Sequence, residues 1–341
     1  MKPRQLIPIA LIFALALILF FFYEPAAEYK SFHGEVQGTY YNIKYEDRPG
    51  RNLEPKILHL LKKFDLSLSV YDSNSIVSKI NRNESTRLDK YFKRVFNKAE
   101  EIYHLSGGAF DVTVAPIVNA WGFGPDTLSV IDSTLIDSLL QYVGMEKVRI
   151  KGNNIFKEDS LIQMNFNAIA QGYSVDIVTE FLDRKGITNY LVEIGGELKA
   201  KGINHQGNPW RVGIDKPIDN NMDPGENLQA IVNVSDKSLA TSGNYRQFYE
   251  KDGVKYVHSI NPKTGYPILN RLLSVTVMMH DCISADAFAT TFMVMGLEKS
   301  IIFLSKHKDI DAYLIYSDEK GEFKTFLTPG MKEIIAEGES M

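Results

Sequence analysis

Apolar residues recur every three or four positions through 53–71 (LEPKILHLLKKFDLSLSVY) and 88–108 (LDKYFKRVFNKAEEIYHLSGG), which predicts two amphipathic helices, the second stopped by Gly107-Gly108. The same reasoning predicts a short helix in 72–81 with Ser or Asn as its cap and another near 133–144. A longer helix runs from about Ala168 to Lys185, where Gly186 ends it, and helices fill 284–307. Alternating or short apolar runs predict strands at 34–46, 147–153, 161–167, 189–202, 210–217, 228–241, 254–262 and 272–280, and a closing hairpin over 311–327. Segment 109–124 (AFDVTVAPIVNAWGFG) has few charges and a proline, and is expected to be buried and tightly turned. Contiguous strands with helices inserted between them argue for an α+β fold rather than a regular βαβ array. No repeat and no low-complexity linker divides the chain, so one mixed domain is expected.

The N-terminus departs from this pattern. Lys2 and Arg4 precede an unbroken apolar run from Leu6 to Tyr23, long enough to cross the hydrocarbon core of a membrane. That length favours an uncleaved anchor over a cleaved signal, and the basic flank keeps the N-terminus cytoplasmic. The expected organisation is a signal-anchor and linker over 1–33 and a domain over 34–341. The anchor belongs in the inner (cytoplasmic) membrane, with the domain on its extracytoplasmic, periplasmic side. A lipoprotein would need a cysteine just after the apolar run, and there is none.

Composition narrows the chemistry. The chain has 341 residues, 44% hydrophobic and 23% charged, as in folded globular proteins. A formal net charge of −4 carries no basic footprint for nucleic acid. The single cysteine, Cys282, excludes an intramolecular disulfide and multi-cysteine zinc sites. There is no GxGxxG, Walker A, nucleophile elbow or HExxH motif.

Candidate chemistry lies in four segments. In 282–296 (CISADAFATTFMVMG), Asp286 and Thr290 are one turn apart on one helix face. With Ser284 as N-cap, Asp286 would sit in the first turn, where the helix dipole favours a carboxylate. Alternatively, both oxygens face a hard cation such as Mg²⁺. In 165–178 (NFNAIAQGYSVDIV) a strand passes into a helix with small residues at Ala168, Ala170 and Gly172, which suits either close helix packing or a phosphate on free N–H groups. Gly195-Gly196 interrupts a strand, as a bulge or where a ligand meets the backbone. In 238–268, TSGNYR is a loop of hydroxyl and glycine donors. The NPKTGYP turn there pins the strand that carries His258, a residue placed as a general base or phosphate partner would be held.

Taken in order, GGAFDVTVAPIVNAWGFG, NFNAIAQGYSVD, EIGGELKAKG, TSGNYR, HSINPKTGYP and ADAFATT resemble the FAD:protein FMN transferases, the ApbE-like flavin transferases. The resemblance covers nearly all of the chain beyond the anchor, and it implies an ApbE-like or T-fold-like domain. It also implies Mg²⁺-dependent transfer of the FMN part of FAD to a Thr or Ser hydroxyl of an acceptor flavoprotein with an extracytoplasmic attachment motif, with release of AMP. Residue by residue, it implies that Ala109, Phe110 and Asp111 form a flavin-contacting segment and that Gln37, Tyr71 and Ile260 make further FAD contacts. Asn165 stands at an FAD-contacting position that is usually Asp, and Gln171 where Lys or Glu is common. Asp286, Thr290 and the Ala168 carbonyl match the metal ligands, and His258 matches the histidine beside the active site. Other readings compatible with the sequence are an FAD pyrophosphatase and a non-catalytic, membrane-tethered flavin-binding protein.

Overall fold

In a computed structural model, residues 28–125, 131–218, 225–244, 248–251 and 254–338 are described; the expected anchor lies outside them. Among the described residues no helix is long and apolar enough to cross a membrane. The first strand, β1 (Glu28–Val36), begins inside the stretch expected to be linker and pairs with β2 (Thr39–Asp47). The run at 34–46, expected as one strand, therefore spans the end of β1, the turn of a hairpin and most of β2. Gln37 and Gly38 both take positive φ, 56° and 73°, which is what a two-residue hairpin turn requires.

Helices α1 (Glu54–Leu68), α2 (Ile76–Asn81) and α3 (Lys90–Leu105) follow as the periodicity predicts, with Ser75 and Asp89 as side-chain caps of α2 and α3. Next come α4 (Ala115–Ala120), α5 (Ser133–Leu140) and a hairpin of β3 (Val148–Lys151) with β4 (Asn154–Lys157). Segment 161–167, expected as a strand, is none. Ile162, Met164 and Phe166 do alternate into the core, but the Met164 backbone bonds the Asn81 side chain, whose amide donates to its carbonyl at 2.8 Å and accepts its N–H at 2.9 Å. A side chain takes the place of a neighbouring strand.

The long helix α6 (Asn167–Arg184) leads to β5 (Tyr190–Ile194) and β6 (Glu197–Lys201). These are joined by Gly195-Gly196 as a hairpin turn rather than a bulge. Then come β7 (Trp210–Asp215), β8 (Leu228–Val234), β9 (Lys237–Gly243), β10 (Phe248–Lys251), β11 (Val254–Val257) and β12 (Leu272–Met279). The chain continues through helices α7 (Cys282–Met295) and α8 (Leu297–Lys306), β13 (Asp311–Ser317), β14 (Phe323–Leu327), α9 (Pro329–Ile334) and β15 (Ile335–Gly338).

One antiparallel sheet of eight strands, in the order β1-β2-β5-β6-β9-β12-β13-β14, organises the fold. Its central strands are covered on both faces, which is why β12 and β13 read as nearly continuous apolar runs. Toward one face, Val192, Ala240, Val277 and Leu314 pack under α1, α3, α6 and α7. Toward the other, Leu191, Leu239, Met278 and Ile315 pack against β7, β8 and Met331 of α9. Helices α6 and α7 lie side by side on the first face, and their contact carries the expected metal residues.

Candidate active site

Helix α7 begins at Cys282, two residues before the expected start. Its N-cap is Asp281 rather than Ser284: the Asp281 carboxylate accepts the Ser284 N–H at 2.9 Å, and Ser284 is already inside the helix. Asp286 is thereby left without a capping task. Only 5% exposed, it turns toward α6, where its carboxylate accepts the Gly172 N–H at 2.9 Å. Within α6 that N–H faces the Ala168 carbonyl four residues back, so the Asp286 carboxylate and the Ala168 carbonyl converge on one donor. Gly172 permits this approach. A Cβ there would collide with the Cys282 carbonyl oxygen and stand 2.7 Å from Asp286 Cβ.

Burial pushes the Asp286 carboxyl up to about 7, and the Gly172 hydrogen bond offsets this only in part. One turn on, the Thr290 hydroxyl lies 3.1 Å from that of Ser242 at the end of β9. A carboxylate and a backbone carbonyl, both oxygen donors, thus meet at the α6–α7 contact, with a hydroxyl one turn further along α7 against β9. Among the described residues no group of three or more His, Cys, Asp or Glu side chains is placed to hold a metal. The donor set fits a small hard cation, since Mg²⁺ is commonly held by one carboxylate with waters and substrate phosphates. A buried carboxylate set against a carbonyl is what such a charge would relieve.

The junction before α6 gathers further expected residues. Asn165 accepts the Asn167 N–H on its side-chain oxygen at 2.8 Å and donates its own N–H to Val112 at 2.8 Å, tying this junction to the Phe110–Asp111 segment. Asn167 Nδ2 donates to the Tyr71 hydroxyl at 3.2 Å, and Tyr71 is 66% exposed, a ring available to a ligand. Ala109 is half-buried, whereas Phe110 is buried in the main core, so that residue offers its backbone and not its ring. Asp111 is buried, which pushes its carboxyl up to about 6, and it accepts from the Thr113 N–H and hydroxyl at 2.8 and 2.5 Å. Gln37, in the β1–β2 turn, donates to Asp65 at 2.8 Å. The Gln171 amide lies over the Gly195 backbone, where an added Cβ would collide with it.

His258 directly follows β11, half-buried, with its ring edge-on to Phe123 at 6.4 Å. The neighbouring Ser259 donates to Asn244 at 3.4 Å, and Asn244 is two residues from Ser242, which ties the His258 loop to the end of β9 that meets Thr290 of α7. Trp121 Nε1 donates to the Gly265 carbonyl at 2.8 Å and fixes the NPKTGYP turn. Ile260 is buried with Ile117, Trp121 and Ile136, so its side chain is a core residue. In TSGNYR, Tyr245 and Arg246 lie outside the described residues. Cavities of about 270 and 480 Å³ lie elsewhere and are lined by none of Asp286, Thr290 or His258.

Two residues of this arrangement are not singled out by the sequence. Ser242 sits inside TSGNYR, and its signal would be a hydroxyl at a strand end that leads into a glycine. Asp176 bonds the start of α7 from α6, and its signal is a carboxylate in the apolar stretch YSVDIV.

Residues 37–314 match the ApbE family. A Vibrio cholerae protein named FAD:protein FMN transferase is 37% identical over 322 residues, 92% of this chain and 95% of that protein. One of the same name from Escherichia coli K12 is 31% identical over 323 residues, 91% and 90% of the two chains. Among solved structures, the flavin transferase ApbE from Vibrio cholerae superposes with a TM-score of 0.81 at 37% identity, covering 90% of this chain and 99% of that one. The apo form of the Pseudomonas stutzeri flavinyl transferase ApbE superposes with a TM-score of 0.81 at 31% identity, covering 92% and 98%.

Proposed function

This chain belongs to the ApbE family, and from that premise we propose that it is an FAD:protein FMN transferase. In the proposed reaction an acceptor Thr or Ser hydroxyl attacks the FMN-side phosphorus of FAD. The bond to the bridging pyrophosphate oxygen breaks, AMP leaves with that oxygen, and FMN remains on the acceptor as a phosphoester. The observation that carries the reading is the buried Asp286 carboxylate, held by the Gly172 N–H beside the Ala168 carbonyl, with Thr290 one turn away.

Asp286, Thr290 and the Ala168 carbonyl would hold Mg²⁺, whose charge, when bound, neutralises the pyrophosphate oxygens. Tyr71, Asn165, Gln171 and Gln37, with the backbone of Ala109 to Asp111 and of Ile260, border the space for FAD. Asn165 and Gln171 bring hydrogen bonds without charge. His258 takes the proton of the attacking hydroxyl or orients the phosphate, in a loop that the Trp121–Gly265 bond keeps rigid. The apolar run at 6–23 tethers the domain to the cytoplasmic membrane on its extracytoplasmic side, where the acceptor flavoprotein displays its attachment motif.

Incubating the protein with FAD, Mg²⁺ and a candidate acceptor tests the reading. Flavin that stays on the acceptor through denaturing electrophoresis, with an equivalent of AMP, is the expected result. Free FMN without labelled acceptor would mean an FAD pyrophosphatase, and tight FAD binding without turnover a binding protein.

A further inference from the structure

Asp286 is one half of a reciprocal contact. Asp176, on α6 and only 2% exposed, accepts the N–H groups of Cys282 and Ile283 at 3.0 and 2.9 Å, with Lys199 Nζ 3.7 Å away. Gly172 and Asp176 are four residues apart on α6, and Cys282 and Asp286 are four apart on α7. The α6 carboxylate takes an N–H of α7, and the α7 carboxylate takes an N–H of α6. Two helices bonded at two points one turn apart have little freedom to slide or tilt. The missing Cβ of Gly172 lets the Cys282 carbonyl close the gap between them.

Asp281, within its own chain segment, caps α7 only at the Ser284 N–H; the two N–H groups before it, those of Cys282 and Ile283, are met from α6 by Asp176. A second carboxylate, buried and borne by another helix, adds a fixed distance between α6 and α7.

We infer that Asp176 is a positioning residue of the candidate metal site: by fixing the start of α7 against α6, it sets where Asp286 presents its oxygens beside the Ala168 carbonyl. The inference rests on Asp286 being a metal ligand. Mg²⁺ demands near-ideal octahedral geometry, so a small displacement of one ligand weakens binding, and residues that orient ligands are worth roughly 10–100-fold in affinity.

The test is Mg²⁺ titration of the purified full-length protein, read both as the rise in melting temperature without FAD and as flavin transfer. Asp176→Asn should raise the half-saturating Mg²⁺ roughly 10-fold or more in both readouts, with transfer recovering at saturating Mg²⁺. Asp281→Ala weakens the start of α7 without touching α6, so it should lower stability and leave half-saturation unchanged. An Asp176→Asn protein that is less stable yet saturates like wild type would reduce Asp176 to a structural cap and overturn the inference alone. Absence of any Mg²⁺-dependent rise in the wild type would overturn the metal reading and the inference with it. Should Asp176→Asn fail to fold, Asp176→Glu keeps the charge but moves the carboxylate by one methylene against the Cys282 and Ile283 N–H groups; it must then raise half-saturation, and an unshifted value overturns the inference.

Discussion

Replacing Asp286 with Asn should make the metal-free protein more stable while abolishing transfer. Burial lifts this carboxyl from 3.8 to about 7. The folded state therefore binds a proton that the unfolded chain has released, and stability falls as pH rises between those two values. The window spans about three pH units at about 1.4 kcal/mol each, so the ionised carboxylate costs the fold about 4 kcal/mol above pH 7. Asn removes the charge and keeps an oxygen for the Gly172 N–H, but it buries an amide group that has to find a partner, at about 1–2 kcal/mol. The net expectation is a gain of about 2 kcal/mol at pH 8 in chelator, a rise in melting temperature of roughly 3 °C for a domain of this size. At pH 5 the wild-type carboxyl is protonated in the fold, and the gap should shrink to about zero. Adding Mg²⁺ reverses the order: wild type gains about 2.7 kcal/mol when the ion is 100-fold above its dissociation constant, and the variant gains nothing. Thermal melts at pH 5 and 8, with chelator and with Mg²⁺, measure all four quantities. An Asp286→Asn protein that melts below wild type at pH 8 in chelator would refute the reasoning, since its carboxylate would then be a stabilising structural group.

Further outcomes follow from neighbouring residues. Thr290→Val keeps the shape but loses the hydroxyl and its bond to Ser242, so half-saturating Mg²⁺ in the transfer assay should rise roughly 10-fold while the melting temperature without metal moves little. Gly195 has φ 66° and lies under the Gln171 amide, so Gly195→Ala should destabilise by about 1–3 kcal/mol in denaturant melts and displace Gln171. Asp111, raised to about 6 by burial, also disfavours the fold as pH rises from about 4 to 6; Asp111→Asn should flatten that part of the stability profile.

How far the sequence went depends on the range of the interactions. Helices α1, α3 and α6 carry their own signals, an apolar stripe with local starts and stops, and they form where those signals fall. The hairpins were harder to read because their turns are unusual: Gln37 occupies a left-handed position that Asn or Gly usually fills, and Gly195-Gly196 resembles a bulge. Segment 161–167 alternates like a strand, and nothing local reveals that its ladder partner is the Asn81 side chain. At the site, the spacing of Asp286 and Thr290 was legible because both lie on one helix. The partners that give the pair its setting, Gly172 and Ser242, stand 114 and 48 residues away and are joined only by the fold.

The strand order has a consequence in time. Tyr41 lies opposite Ile194 and Ser238 opposite Met279, so the sheet closes through pairings between distant parts of the chain. Such contacts form slowly, because loop closure must precede the energy gained from pairing. The oxygens at 168, 242, 286 and 290 cannot meet until β9 and β12 are joined and α7 has settled on α6. No amino-terminal fragment that stops short of α7 can contain the site, and a chain caught during synthesis is inactive until its last third has folded. The candidate metal centre thus depends on contacts that only a nearly complete chain can make.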